Sequence, residues 1–169
     1  VNGLALARAH ADDLAYVMQT ERIPAYAQLV GQWTEERHLA AMADGRHAYF
    51  IARRGDAPVG FAILRDWASP EHATLLKRIV VGEAGRGDGA ALLRAVMDAV
   101  FGQTAVHRLW LGVYPENVRA RRAYASAGFV EEGVMRGSAF FHGAYRDEVM
   151  MSVLRPDWSR LRGATGDQR

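Results

Sequence analysis

The stretch from residue 74 to residue 113 constrains the fold more than any other. Residues 74–81 form an apolar run ending in Ile79-Val80-Val81, and a glycine cluster follows at residues 82–89. Residues 90–101 then carry apolar side chains at helical spacing. In residues 107–113, Leu109, Leu111 and Val113 alternate with Arg108, Trp110 and Gly112, the period of a strand with one buried face. A strand, a glycine-rich turn, a helix and a second strand make a crossover, which sets the two strands parallel.

The remaining pattern favours antiparallel pairing. Residues 4–7 read as a short strand, and Asp12 or Asp13 caps a helix running to Gln19. Thr34 caps a helix over 35–44 with acids in its first turn, and Gly45 stops it. Strands at 49–52 and 59–64 flank the turn Arg54-Gly55-Asp56-Ala57-Pro58. After the crossover come a helix over 117–127 stopped by Gly128, and strands at 129–135 and 148–154. The expected fold is α/β of the α+β type: a three-layer α-β-α sandwich around a mixed, mostly antiparallel sheet. Residues 1–158 are expected to form one domain, with 159–169 a frayed polar tail.

Composition narrows the function classes. Cysteine is absent, which removes disulfides, thiolate metal sites and a cysteine nucleophile, and fits a reducing compartment. No apolar run has the length of a membrane span, and the first residues lack the order of a secretory signal. The expectation is a cytoplasmic protein with no membrane partner. A net charge of +2 gives no ground for nucleic-acid binding. Lys77 is the one lysine, so 21 − 1 = 20 of the basic residues are arginines, spread along the whole chain.

Gly85-Arg86-Gly87-Asp88-Gly89-Ala90 leaves a strand and enters a helix, where several backbone N–H groups lack internal acceptors. Glycines let the backbone take positive φ and approach a ligand closely, and the helix dipole favours an anion. Together these make a cradle for a pyrophosphate, to which Arg86 adds charge. A tight turn with no ligand has the same composition. The nucleotide loop ending in Gly-Lys-Ser/Thr is absent, since Ala90 follows Gly89. Gly85, Gly87 and Ala90 meet the dinucleotide spacing, with Glu116 as a ribose ligand, but no further strand–helix units follow to build the wide parallel sheet.

Next comes Asn117-Val118-Arg119-Ala120-Arg121-Arg122-Ala123-Tyr124. On a helix, Asn117, Ala120, Arg121 and Tyr124 share a face. Asn117 can bond a ligand amide or simply cap the helix, and Tyr124 can present its phenol or fill the core. The phrases "RIVVGEAGRGDGAALL", "HRLWLGVYPENVRARRAYASAGF" and "EEGVMR", in this order, resemble the GCN5-related N-acetyltransferase superfamily. Arg86 to Ala90 resemble its loop motif; Asn117, Ala120, Tyr124, Gly128 and Phe129 resemble its second motif; "YRDEVMMSVLRPDW" is similar to the last strand of many members. The likeness covers residues 49–158.

This resemblance implies an acyl-CoA N-acyltransferase-like fold and an acetyl-CoA-dependent N-acetyltransferase acting on a small amine or a peptide N-terminus, with no metal and no covalent intermediate. It implies that Ile79, Val80 and Val81 offer backbone groups to pantetheine, one N–H polarising the thioester carbonyl. It implies that the amides of Ala84, Gly85, Arg86, Gly87, Asp88, Gly89 and Ala90 hold the pyrophosphate, that Asn117 bonds pantetheine, and that Tyr124 protonates the departing thiolate. Many relatives are dimers, so a homodimer is compatible with the resemblance. The sequence departs from the pattern at Ala84, often Gln or Arg, and at Leu75, commonly Glu in relatives with a similar strand. Glu71, His72, Glu21 and His142 are the other candidates for a base. The acceptor is expected between residues 21–33 and 137–145, which carry Tyr26, Trp33, Phe140, Phe141 and His142. Two other classes fit parts of the pattern: a non-catalytic acyl-CoA-binding module on the same fold, and a dinucleotide-dependent oxidoreductase.

Overall fold

Seven strands form a single sheet in the computed structural model, which describes residues 3–166. They are β1 (Ala5–Arg8), β2 (His47–Arg54), β3 (Ala57–Arg65), β4 (Ala73–Val81), β5 (Arg108–Val113), β6 (Val130–Phe141) and β7 (Ala144–Leu154). The spatial order is β1-β2-β3-β4-β5-β7-β6, and the pairing of β4 with β5 is the one parallel contact. The helices are α1 (Leu14–Glu21), α2 (Glu35–Ala43), α3 (Asp88–Gln103), α4 (Val118–Ser126) and α5 (Arg155–Gly166). This is the expected mixed, mostly antiparallel sheet with helices on both faces.

Side-chain alternation splits the core into two layers. On one face Phe50, Leu64, Leu76, Leu109, Leu111, Val149, Met151 and Val153 pack with Leu92, Val96 and Val100 of α3. On the other, Tyr49, Ile51, Phe61, Ile63 and Val80 pack with Leu14 and Val17 of α1 and Ala41 of α2. Each fully buried side chain of this kind contributes roughly 1.5–3 kcal/mol, so both layers are needed to hold β4 in the middle.

The parallel contact is short. Ala73, Thr74 and Leu75 lie opposite Arg108, Leu109 and Trp110, and no pair follows. From Leu76 onward β4 pairs with β3 alone, while β5 runs on with β7 as far as Val113. The sheet therefore splays open between β4 and β5 toward the glycine loop. The register of β3 on β4 also slips between Ile63 and Leu64, which leaves Lys77 with no residue opposite: a bulge beside the opening.

Two expectations are corrected. Residues 159–166 are not frayed but continue α5, because Trp158 stacks near Phe101 (5.4 Å) and donates to Asp98 (2.7 Å), and Arg155 bonds the carbonyls of Phe101, Thr104 and Val106. Residues 167–169 lie outside the described residues. The last hairpin is also far longer than 129–135 and 148–154. It closes at His142-Gly143, both at positive φ (50° and 78°), the conformation of a two-residue hairpin turn.

Candidate active site

The edge of β4 follows from its phase. Gly82 N–H bonds Val59 C=O (2.9 Å), and hydrogen-bonded pairs alternate along an antiparallel ladder. Val80 therefore exchanges bonds with Phe61, whereas Ile79 and Val81 turn their N–H and C=O groups toward the opening. Of the three residues expected to offer backbone groups to a pantetheine arm, the register turns two toward the opening and turns Val80 away. The Val81 carbonyl receives the Tyr26 hydroxyl (3.0 Å), so Ile79 N–H, Ile79 C=O and Val81 N–H are the groups left on that edge.

The glycine loop ends at α3 in the way its composition asks for. Gly85 (φ 87°) and Gly87 (φ 81°) both hold left-handed backbone, where a side chain is strained. Gly87 is the N-cap and has no side chain to offer; the first bond into the helix runs from Ala91 N–H to Gly87 C=O (3.2 Å). Asp88, Gly89 and Ala90 thus present N–H groups without helical acceptors, at the positive end of a 16-residue helix. The Asp88 carboxylate, which would repel an anion there, turns back onto Arg54 Nε (2.7 Å). Arg86 is exposed and pairs with Glu83 (2.6 Å). The loop fits a pyrophosphate through its backbone. A cavity of about 600 Å³ borders it on the β3 side, between Tyr16, Thr20, Pro58, Gly82 and Asp88.

Across the opening, Asn117 caps α4 by accepting from Ala120 N–H (3.2 Å), which leaves its NH2 group without a partner among the described residues. Ala120 and Tyr124 are half-buried in the same apolar layer as Ile79 and Val81. Tyr124 packs at a tilt against Phe129 (5.8 Å between ring centres, 54° between planes), and its hydroxyl makes no hydrogen bond among the described residues. Burial pushes its phenol up to about 12, because the phenolate loses water and gains no compensating charge. It stays protonated throughout the physiological range.

The base candidates fare differently. Glu71 and His72 stand at the far end of β4 from the opening; the His72 ring faces the Ala105 carbonyl (3.0 Å) and its own carbonyl receives His107 and Arg108. Glu21 is fully buried and committed to Arg78 (2.7 Å), Arg22 (2.7 Å) and His38 (3.2 Å), so it ties α1 to β4. His142 sits at the hairpin tip against the Ala27 carbonyl (3.0 Å). Leu75 is buried. One carboxylate that sequence reasoning missed does face the opening: Glu148 on β7. Its neighbours Val149, Met151 and Val153 fill the α3 layer, so Glu148 points to the opposite face, over Gly112. The glycine inside an alternating strand was the available signal, since such a residue marks a close approach.

The two acceptor segments do meet. His142 and Arg146 reach the carbonyls of Ala27 and Gln28 (3.0 and 2.9 Å). Phe141 packs on Tyr114 (5.9 Å), and the Arg146 guanidinium lies 3.5 Å over the Tyr114 ring. Phe140 instead projects outward with Tyr145, and Trp33 stacks within the α2 side between Arg37 and Arg78.

Residues 14–129 match the model of the acetyltransferase (GNAT) family. The chain belongs to that family. GNAT enzymes are N-acetyltransferases that draw on acetyl-coenzyme A. Among curated GNAT relatives, a probable N-acetyltransferase of Bacillus subtilis is 33% identical over 73 residues, 43% of this chain and 40% of its own length. The spermidine N(1)-acetyltransferase of Vibrio cholerae is 34% identical over 71 residues, 42% and 41% of the two chains. The match thus spans about two fifths of either relative. An uncharacterized N-acetyltransferase of Mycobacterium tuberculosis is 34% identical over 117 residues, 69% of this chain and 72% of that protein. In fold, the Vibrio cholerae spermidine N-acetyltransferase, solved in complex with CoA and spermine, superposes with a TM-score of 0.82 over 94% of this chain and 99% of that one, at 21% identity. Among the described residues, no helix is long and apolar enough to cross a membrane.

Proposed function

We propose that this GNAT chain transfers the acetyl group of acetyl-coenzyme A to a primary amine, on a small molecule or a peptide N-terminus, by direct attack. The observation that carries the reading is the splay after the third β4–β5 pair, with the glycine loop at one end and Tyr124 beside it. Bound acetyl-CoA supplies an activated acetyl group. The Asp88, Gly89 and Ala90 amides and the loop backbone from Ala84 hold its pyrophosphate, and Arg86 contributes by exchanging Glu83 for phosphate. Ile79 and Val81 bond the pantetheine arm as an added strand, and the Asn117 amide reaches it from α4. An N–H on the same edge steadies negative charge on the carbonyl oxygen. Tyr124, protonated and desolvated, donates to the departing sulfur. The amine enters from the face carrying Phe141, Tyr114 and Glu148, opposite the Tyr124 face.

A thiol-release assay tests this. The chain has no cysteine, so free CoA is the sole thiol formed. Release should depend on added amine when spermidine, phenethylamine and a short peptide with a free N-terminus are offered. Release that none of the three accelerates, from protein that binds acetyl-CoA, overturns the reading in favour of a non-catalytic binding module.

A further inference from the structure

The acceptor face holds a carboxylate, Glu148, that is hydrogen-bonded through one oxygen alone among the described residues. Ser138 donates to Glu148 Oε2 (2.8 Å), while Oε1 has no hydrogen bond among the described residues. A Cβ built on Gly112 would lie 2.7 Å from that oxygen, so the glycine at the end of β5 is what lets the carboxylate lie over the strand beside the opening. The carboxylates nearest to it in the fold are already paired. Glu21 is locked to Arg78, Glu132 to Arg108 (2.6 Å), and Glu116 to Arg146. Glu148 and Tyr124 also stand on opposite faces of the sheet, with the gap between β4 and β5 separating them. A base can thus reach the attacking nitrogen from one face while an acid reaches the sulfur from the other.

Resting on the acetyl-transfer reading above, we propose that Glu148 is the residue that receives the acceptor's ammonium and takes its proton, and that it selects amines carrying a single positive charge. The Glu148 carboxylate takes one proton from the ammonium and frees the nitrogen lone pair. That pair forms the C–N bond to the acetyl carbonyl carbon, and the C–S bond breaks with its electrons going to sulfur. Tyr124 gives sulfur a proton, the nitrogen loses its second, and one proton in all leaves to water.

The single-charge preference follows from the groups around Oε1. Lys77 on the bulge of β4 is within electrostatic range of Glu148, Arg146 stands two residues before it on the same face of β7, and Tyr114 is within electrostatic range of Glu148, Glu116 and Arg146. Partial desolvation at the foot of an otherwise exposed side chain lowers the Lys77 ammonium, and the Glu148 carboxylate works the other way. A second ammonium beside the first would meet the Lys77 ammonium and an Arg146 already paired with Glu116.

The test uses the full chain, with phenethylamine and spermidine as probes and acetyl-CoA binding measured by calorimetry. Wild type is expected to favour phenethylamine by about tenfold in kcat/KM. Glu148→Gln, which keeps the Ser138 bond, should bind acetyl-CoA as wild type does and lose about 100-fold in kcat/KM at pH 7, within the range of a general base. It should then regain about 100-fold between pH 7 and 9, following the free-amine fraction of a group with pKa near 10, while wild type gains much less. Glu148→Asp should retain most activity. A Gln variant within threefold of wild type, or one that falls equally at every pH, overturns the role of Glu148. Preference for spermidine overturns the substrate class. Wild type that turns over neither amine overturns the acetyl-transfer reading and this inference together.

Discussion

Replacing Tyr124 by Phe removes one hydroxyl and little else. The hydroxyl has no hydrogen bond to lose, and the ring contact with Phe129 at 5.8 Å survives. The size of the catalytic loss follows from the burial of the phenol. At a free pKa of about 10 it would exceed water, at about 15.7, as an acid by some 5.7 units; at the value of about 12 set by burial the margin is about 3.7. With a Brønsted coefficient of about one half, these margins are worth roughly 700-fold and 70-fold. The expected loss in kcat is therefore close to 10²-fold, with acetyl-CoA affinity unchanged. Single-turnover thiol release with a saturating amine reads the chemical step, and calorimetry reads binding. Turnover within threefold of wild type would refute the assignment of Tyr124 as the acid; a tenfold loss of affinity would make it a binding residue instead. The substitution carries a second signature. A phenol raised from about 10 to about 12 costs the folded protein about 3 kcal/mol once ionised, and none while protonated in both states. Wild type should lose that stability as the pH climbs from 10 to 12, and Tyr124→Phe should not show that component.

Three further outcomes are expected. Glu21→Gln leaves Arg78 buried against a neutral partner (Arg78 Nη1 to Glu21 Oε2 is 2.7 Å now) and should cost about 3–5 kcal/mol, a fall of roughly 10 °C in Tm by calorimetric melting. Gly87→Val forces a branched side chain to φ 81°, which strains the loop backbone although no protein atom crowds the side chain, so it should weaken acetyl-CoA at least tenfold by titration and also lower Tm. Glu132 is held down at about 2 by hydrogen bonds from Arg108 and Ser152; stability drawn from it is present above about 4.5 and lost as the pH falls toward 2. In acid titration monitored by circular dichroism, Glu132→Gln should lack that loss, and coincident curves would contradict it.

The crossover from residue 74 to residue 127 was legible because three local signals agree there: apolar alternation, glycines at a strand–helix junction, and a capped helix. The parts that were not legible depend on distant partners. Whether Ile79, Val80 or Val81 faces the opening is a matter of register against β3, which no local pattern sets. Glu21 looked like an available base, and only the fold brings Arg78, 57 residues on, against it. The long hairpin was read as two short strands because its turn is His142-Gly143 rather than Asn-Gly, and because residues 130–141 are largely exposed and lack a clean alternation. The tail looked frayed by composition, while Trp158 and Arg155 anchor it to α3 and the loop behind it. Glu148 was hidden in the same way: a strand-end glutamate becomes a site residue only when Gly112 is placed beneath it.

The account stands on acetyl-coenzyme A occupying the gap between β4 and β5 with its pyrophosphate on the glycine loop. Calorimetric titration of the purified chain with acetyl-CoA, and with NADH in parallel, tests that most directly. The structure predicts saturable one-site binding of acetyl-CoA, weakened by Gly87→Val, and no heat from NADH. A folded sample that leaves acetyl-CoA unbound, or that takes NADH in its place, would contradict it.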